Sequence, residues 1–411
     1  MKIRIGYFDE SVRFGGTTRY LLDLIEHLDR DIFEPVFFSP AFRSWHNELR
    51  KLDVKVVGFT ESPSIASTPA PVASPSRPRR LSLPKPLAWH LGLARELWRL
   101  RALFASEPVD IYHSNNVGAE PAPVAAKWTG KPVVGTLHVD PSYDLNGLFS
   151  TLRYRQLEKW CFRSLDAALA VSRRTGEAWA HRCGLDRQYI ARRMHVIYNG
   201  IDPSRIQPRS DQSIARRNLG LPANAVLVAS LGRLEPAKGY EDLVRALAIV
   251  VKEIPQIHVA IGGAGILRDE LLALASSLGV QAHLHLVGFL SEITQLLDAA
   301  DIYTQPSLCE ALPYGVLEAV GFGLPAIVTN VGGMPEIVDS GTSGWVVPAR
   351  HPEELAKAIC LLAENPDLRL QLGRAAAERI RKSFSIEEMC TRTTDVYHHI
   401  SRDQPRRNPL Q

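Results

Sequence analysis

Residues Ser307 to Glu336 read SLCEALPYGVLEAVGFGLPAIVTNVGGMPE, and this stretch decides how the rest of the chain is understood. It follows a short apolar run, Ile302 to Gln305, predicted to be a buried strand. A polar turn carrying Glu310 comes next, then Pro313, where a helix is predicted to begin. Proline suits the first helical position because its missing N–H would be unpaired there anyway. That helix runs to about Gly321–Gly323 and carries Glu318 on its second turn. A second strand, Pro325 to Thr329, ends in the glycine turn Gly332-Gly333 before a further helix. Strands alternating with helices in this way make a parallel sheet.

Chemically the unit offers two carboxylates and two clusters of backbone N–H groups at helix starts. Such N–H groups, with the positive end of the helix dipole, hold an anion, typically a phosphate. Carboxylates accept hydrogen bonds from hydroxyls, each charge-assisted bond contributing roughly 1.5–3 kcal/mol. An anion site beside hydroxyl acceptors fits a sugar nucleotide.

Glu310 and Glu318 stand in an E-x7-E spacing. A bare pair at that spacing is weak evidence. Here the preceding strand, the Glu310-Ala311 pair, Gly323-Leu324-Pro325 and the Gly332-Gly333-x-x-Glu336 turn follow in order. From Pro306 to Val338 the chain resembles the retaining glycosyltransferases of family 4. The resemblance implies a GT-B fold: α/β, two Rossmann-like domains facing each other across a cleft, with a C-terminal helix crossing back to the first domain. It departs from the family pattern at Ala311 and Pro313, where glycine is frequent, and these departures leave the sugar open.

Length and composition agree. With 411 residues, 45% of them hydrophobic and 22% charged, the chain suits two or three globular domains. Five scattered cysteines without a C-x-x-C argue against a disulfide framework or zinc site and for a reducing cytosol. Cys309, beside Glu310, reads as a small buried residue rather than a nucleophile. Met1 runs straight into a strand, so no signal peptide is expected. The longest apolar candidate for a membrane span is interrupted by Gly321, Gly323 and Pro325. The expected location is cytoplasmic, with peripheral contact at the inner membrane face left open. Net charge is +4. Residues 1–205 hold 29 Lys+Arg against 21 Asp+Glu, and the remainder 19 against 23, so +8 and −4 sum to that value. A basic first half suggests an anionic partner. An anionic membrane surface is one such partner; nucleic acid is not expected.

The expected organisation is an acceptor-side domain at 1–202, a hinge at 203–222, a nucleotide-sugar domain at 223–384 and a returning helix at 385–402. Ile3–Asp9 runs into Gly15-Gly16 and then a helical pattern at Leu21, Leu22, Ile25 and Leu28, a βα unit. The glycine pair lacks the G-x-G-x-x-G dinucleotide fingerprint. By resemblance it closes over the donor phosphates; read alone it is a tight turn. Further strands are predicted at 35–39, 54–59, 111–114, 133–138 and 168–172. The segment 62–86, with seven prolines, reads as a mobile loop. Residues 87–104 read as a helix with Trp89, Leu91, Trp98 and three arginines, either a core helix or one lying on an anionic membrane. His138 closes a strand and by resemblance touches the donor sugar, with Asp140 and Tyr143 in the same loop. Ser172 is either a family position or a helix N-cap. Asn199-Gly200 is either a donor contact or a turn.

In the second half, strand 225–232 ends at Gly232 and leads to Arg233 and Lys238 before a helix near Gly239. Two cations beside a helix start suit a diphosphate, against the plainer reading of solvated surface charges. By resemblance both grip the leaving nucleotide. Gly263 in a second glycine turn and the loop Leu312, Pro313, Tyr314 and Gly315 adjoin the donor. Glu310 takes sugar hydroxyls and Glu318 the ribose. The Asp29-Arg30-Asp31 triplet, though D-x-D in form, lies at a helix end and reads as solvated surface. No cofactor or metal is expected beyond the nucleotide diphosphate sugar, because the Arg/Lys pair supplies the positive charge. The acceptor is expected to be a glycan or a lipid-linked molecule in cell-surface polysaccharide or glycolipid synthesis. Two other classes stay open: a nucleotide-sugar 2-epimerase of the same fold, and a non-catalytic sugar-nucleotide binder.

Overall fold

The computed structural model describes residues 2–11, 14–41, 43, 45–58, 85–118, 120–142 and 152–402, with backbone alone at 85–88. Most of the proline-rich segment 62–86, Tyr143 and the tail from Asp403 lie outside the described residues.

Seven strands form one sheet: β1 (Ile3–Phe8), β2 (Phe33–Phe38), β3 (Lys55–Val57), β4 (Ile111–Ser114), β5 (Val133–Leu137), β6 (Ala167–Ala170) and β7 (Met194–Val196), ordered β3-β2-β1-β4-β5-β6-β7. Six form another: β8 (Val226–Leu231), β9 (Ile257–Gly262), β10 (Leu284–Gly288), β11 (Ile302–Gln305), β12 (Ala326–Thr329) and β13 (Gly344–Val347), ordered β10-β9-β8-β11-β12-β13. The ladders from β3 through β5, and all those of the second sheet, are parallel. Strands such as β11 (IYTQ) and β12 (AIVT) are buried at every residue, as expected where helices cover both faces. Each sheet reverses its order once, between β1 and β4 and between β8 and β11. Loops leaving the two strands at a reversal diverge, and ligands collect in the crevice they leave.

The chain divides into two compact units, one of Met1–Thr136, Phe149–Ala168 and Asp395–Gln411, the other of Leu137–Leu148 and Leu169–Thr394. The last turns of the helix Ile386–Arg402 thus belong to the first unit. There Tyr397 hydroxyl bonds His113 Nδ1, while His113 Nε2 lies 2.7 Å from Thr136 Oγ1. Complete burial holds the His113 imidazole down at about 3, so it is neutral in the fold.

In the second unit, Leu243, Leu247, Ile359 and Leu362 pack with Val228, Ile257 and Val259 on one side of the sheet. Leu317, Val320, Ala376 and Ile380 pack with Leu227, Ala229 and Val328 on the other. The stretch 203–222 is structured: a 3-10 turn, Pro203–Ile206, precedes the helix Gln212–Asn218. Within it Arg216 is buried, and its guanidinium meets Asp301 at 2.7 Å. Asp301 also accepts the Leu227 N–H, which fixes this segment to the start of β8. The predicted helix at 87–104 is observed as Lys85–Ala105. Leu97, Leu100 and Phe104 are buried, whereas Leu91 and Trp98 are exposed, so its apolar residues are divided between core and surface.

Candidate active site

The loops that follow β8 and β11 are stitched together at the reversal of the second sheet. Leu308 N–H donates to the Ala237 carbonyl at 2.8 Å. The helix Tyr240–Glu253 opens there, with Gly239 as its N-cap. Lys238 Nζ donates to Glu310 Oε1 at 2.6 Å, and the two side chains are only 19% and 12% exposed.

Behind this pair runs a line of side-chain hydrogen bonds. Tyr303 hydroxyl donates to Gln305 Oε1, Gln305 Nε2 to Ser307 Oγ and Ser307 Oγ to Glu310 Oε1, each at 2.8 Å. Thr329 hydroxyl holds the Ser307 carbonyl. Both donors to the Glu310 carboxylate reach Oε1, so among the described residues Oε2 accepts no protein hydrogen bond. Burial raises the Tyr303 phenol well above its ordinary range, so it stays a proton donor at neutral pH.

The backbone around Glu310 is held as tightly as its side chain. Gly332 has φ +48°, and a Cβ there would overlap the Glu310 carbonyl oxygen. Gly333 N–H donates to the Ala311 carbonyl at 2.7 Å. Asn199, expected at the donor, is buried and its Nδ2 donates to the Leu312 carbonyl at 2.8 Å. It therefore holds the backbone of this loop at Leu312. Pro313 is the N-cap of the helix Tyr314–Phe322, one residue before the first helical position that the sequence implied. Gly315 lies where a Cβ would crowd the Tyr303 hydroxyl, and Glu318 is half-buried one turn further on.

Other predicted residues stand differently. The Arg233 side chain is 62% exposed and its Nη1 donates to Glu235 Oε1 at 2.7 Å. Only Lys238 of the expected cation pair touches Glu310. Gly232 and Gly263 meet backbone to backbone: with φ +148°, Gly263 would drive a Cβ into the Gly232 carbonyl. His138 follows β5 and is half-buried. Its loop is pinned by Trp179 Nε1 donating to the Val139 carbonyl at 2.8 Å and by Arg182 donating to the Pro141 carbonyl at 3.2 Å. Ser142 Oγ lies 3.4 Å from Cys309 Sγ, so this loop reaches the neighbour of Glu310. Burial pushes the Cys309 thiol up to about 12, consistent with a packed, protonated cysteine. Gly15 and Gly16 open the helix Gly16–Glu26 in the first unit. Gly15 is extended, and a Cβ there would meet nothing within 4 Å. Ser172 is a true N-cap, accepting the Thr175 N–H at 3.1 Å. Asp29 and Asp31 are exposed, as expected of a surface turn.

Residues 211–379 match the family described as Glycosyl transferases group 1, and residues 14–205 match Glycosyltransferase Family 4. Each half of the chain thus resembles a glycosyltransferase family. A D-inositol 3-phosphate glycosyltransferase from Streptomyces scabiei is 31% identical over 225 residues, 51% of this chain and 50% of the relative. Glycogen synthase from Mycobacterium tuberculosis is 29% identical over 335 residues, 79% of this chain and 78% of that one. The chain spans about half the length of the first of these relatives. Among solved structures, Anabaena HepE in complex with UDP has a TM-score of 0.76 at 22% identity, covering 97% of this chain and 100% of HepE. HepE has also been solved with UDP-glucose, at a TM-score of 0.75. The fold class is GT-B, as the resemblance implied.

Within that family frame, sequence reasoning found Glu310 and Lys238 but missed what holds them. Tyr303 and Gln305 read only as strand residues, and Ser307 only as the opening of the turn after the strand. Their signal was present: positions 303 and 305 share one face of β11 by the two-residue period, and both are polar at the end of a buried strand. Glu336 was noted only as the end of the glycine turn.

Proposed function

We propose that this chain is a retaining glycosyltransferase that moves a hexosyl group from a nucleotide diphosphate sugar to a glycan or lipid-linked acceptor in cell-surface polysaccharide or glycolipid synthesis. The observation that carries this reading is the Lys238–Glu310 pair at the reversal of the second sheet, with Glu310 Oε2 accepting no protein hydrogen bond among the described residues. An ammonium has three donors. One serves Glu310, and the others can meet the oxygens of a diphosphate lying at the start of the helix Tyr240–Glu253.

Glycosyl transfer develops negative charge on the departing diphosphate and positive charge at the anomeric carbon. Lys238 stabilises the first electrostatically and is already fixed by Glu310, so little reorganisation is needed on reaction. Arg233 joins it by leaving Glu235, a movement open to an exposed side chain. Glu310 Oε2 accepts a sugar hydroxyl, and Glu318 takes the ribose. His138 hydrogen-bonds the sugar near the anomeric carbon. Retention follows from attack on the face from which the diphosphate leaves, the acceptor hydroxyl giving its proton to the leaving phosphate oxygen. The UDP and UDP-glucose complexes of HepE favour a uridine donor.

Incubation with individual UDP-, GDP- and ADP-sugars tests the reading. Release of nucleoside diphosphate, with α-configured product from an α-configured donor, is expected for one of them. An isomerised donor without release would instead identify an epimerase, and binding without turnover a sugar-nucleotide receptor.

A further inference from the structure

Three tryptophans from three helices form a line on the first unit. Trp98 belongs to the helix Lys85–Ala105, Trp128 caps the end of the helix Ala122–Lys127, and Trp160 lies on the helix Leu152–Ser164. Ring centroids are 6.4 Å apart between Trp98 and Trp128 and 6.0 Å between Trp128 and Trp160. All three are exposed, at 63%, 41% and 40%. Single exposed apolar residues need no explanation, but a contiguous run of large aromatics marks a surface that meets something.

The charge around the run is one-sided. Arg101 lies over the Trp98 ring at 5.5 Å, and Arg95 and Arg99 are exposed on the same helix. Arg155, Lys159 and Arg163 are exposed on the helix that carries Trp160. Glu96 offsets Arg99, at 2.8 Å, and Glu158 is buried, which leaves the other cations of these helices in excess. Indole rings with an apolar body and one N–H suit a boundary between hydrocarbon and water. Guanidinium and ammonium groups suit lipid phosphates.

We propose that this face docks on the surface of an anionic lipid bilayer, with the three indoles at headgroup depth and the surrounding cations on lipid phosphates. The positive charge decides between occupants. A neutral glycan would use the aromatic rings but has no need of the excess cations exposed on the same helices. The helix is thus both of the things its sequence suggested, with Leu97, Leu100 and Phe104 in the core and Trp98 with its arginines at the surface.

The test is flotation of the full chain with phosphatidylcholine vesicles and with vesicles that also contain phosphatidylglycerol. Sugar nucleotide is left out, so the outcome is independent of the transferase reading. Binding is expected only with phosphatidylglycerol, falling at high salt, and brominated lipid should quench tryptophan emission. Replacing Trp98, Trp128 and Trp160 together by Ser should lower the bound fraction about tenfold or more. Trp98→Ser alone, at the most exposed site, should lower it measurably while circular dichroism stays unchanged, which guards against misfolding of the triple variant. Equal binding to both vesicle types, absence of quenching, or binding indifferent to Trp98→Ser would overturn the proposal. So would tryptophan-dependent binding of a soluble polysaccharide by a chain that ignores both vesicles.

Discussion

Two carboxylates lie beyond the strands that flank a reversal in sheet order, one in each unit, and their surroundings are opposite in kind. Glu310, beyond β11, has Lys238 at 2.6 Å and the Ser307 hydroxyl at 2.8 Å on the same oxygen. Glu120, beyond β4, accepts, among the described residues, a long bond from Asn116 Nδ2 at 3.4 Å. Burial, with Glu10 and Asp9 adding to it, pushes the Glu120 carboxyl up to about 8. Glu10 is itself raised, chiefly by burial. One topology therefore produces a strand end whose negative charge is matched by a fixed cation and another where a carboxyl stays protonated at neutral pH. Only the first suits a diphosphate. The +8 net charge of the first half suggested an anionic partner, yet the described strand ends β1 and β4 carry acids. Its exposed cations include those on the helices around Trp98 and Trp160.

Removing the cation from the matched site should give the largest effect. Lys238→Ala deletes the ammonium fixed beside Glu310, and loss of such a preorganised group typically lowers turnover about 10²–10³-fold. Arg233→Ala, at an exposed side chain paired with Glu235, should lower it less. Nucleoside diphosphate release under saturating donor checks both. If Lys238→Ala keeps near-normal turnover, the contrast between the two strand ends has no catalytic meaning.

Next come two pH effects that set Glu120 against His113 within the first unit. Glu120 has a folded value near 8 against an ordinary 4.5, so its contribution to stability is complete below about 4.5 and is lost as pH rises through 8. His113, at about 3 against 6.5, is neutral in the fold. Its contribution is complete above about 6.5 and is lost as pH falls toward 3. These two groups alone place the stability maximum between about pH 4.5 and 6.5. Glu120→Gln should flatten the alkaline decline, with a gain on the order of a few kcal/mol at pH 8. Thermal melts from pH 4 to 9 would show it, and an unchanged alkaline slope would mean that Glu120 ionises freely in the fold. His113→Ala should cost about 2–4 kcal/mol near neutrality by leaving a cavity and removing the partner of the Thr136 hydroxyl.

How far the sequence carried differs between these regions for a physical reason. The βα unit from Ile302 to Glu336 was legible because local rules act there in concert. Pro313 starts a helix, Gly323 ends it with a left-handed C-cap at φ +98°, and Gly332 permits the turn against Glu310. Lys238 was legible as a cation beside a helix start, but its pairing with Glu310 was not, since 72 residues separate them and no local rule joins them. The Tyr303–Gln305–Ser307 relay depends on side-chain rotamers inside the sheet, which periodicity does not reveal. The position of Arg233 on Glu235 is likewise a local pairing in competition with the expected one. Asn199 reads as a donor contact or a turn, and its bond to the Leu312 carbonyl, 113 residues away, is one that no local rule reveals.

The smallest expected effect concerns Glu336, which serves neither strand-end carboxylate directly. Its Oε2 accepts the Arg173 N–H and its Oε1 the Arg174 N–H, both at 3.0 Å, and Tyr198 hydroxyl donates to Oε2 at 2.9 Å. With Ser172 accepting the Thr175 N–H, successive N–H groups at the start of the helix Arg173–Cys183 are all satisfied. A carboxylate is well placed there against the helix dipole. Arg379 holds the Glu336 carbonyl at 2.8 Å, so the side chain is aimed by its own backbone. Glu336→Gln should cost under about 1 kcal/mol, because an amide oxygen still accepts one N–H, and Glu336→Ala about 1–2 kcal/mol. Since the preceding turn, Gly332-Gly333, lies against Glu310 and Ala311, some loss of activity should accompany the Ala variant and be largely restored in the Gln variant. A fall in turnover as deep as that of Lys238→Ala, without rescue by Gln, would mean that the anchor of the glycine turn acts on the reacting groups themselves.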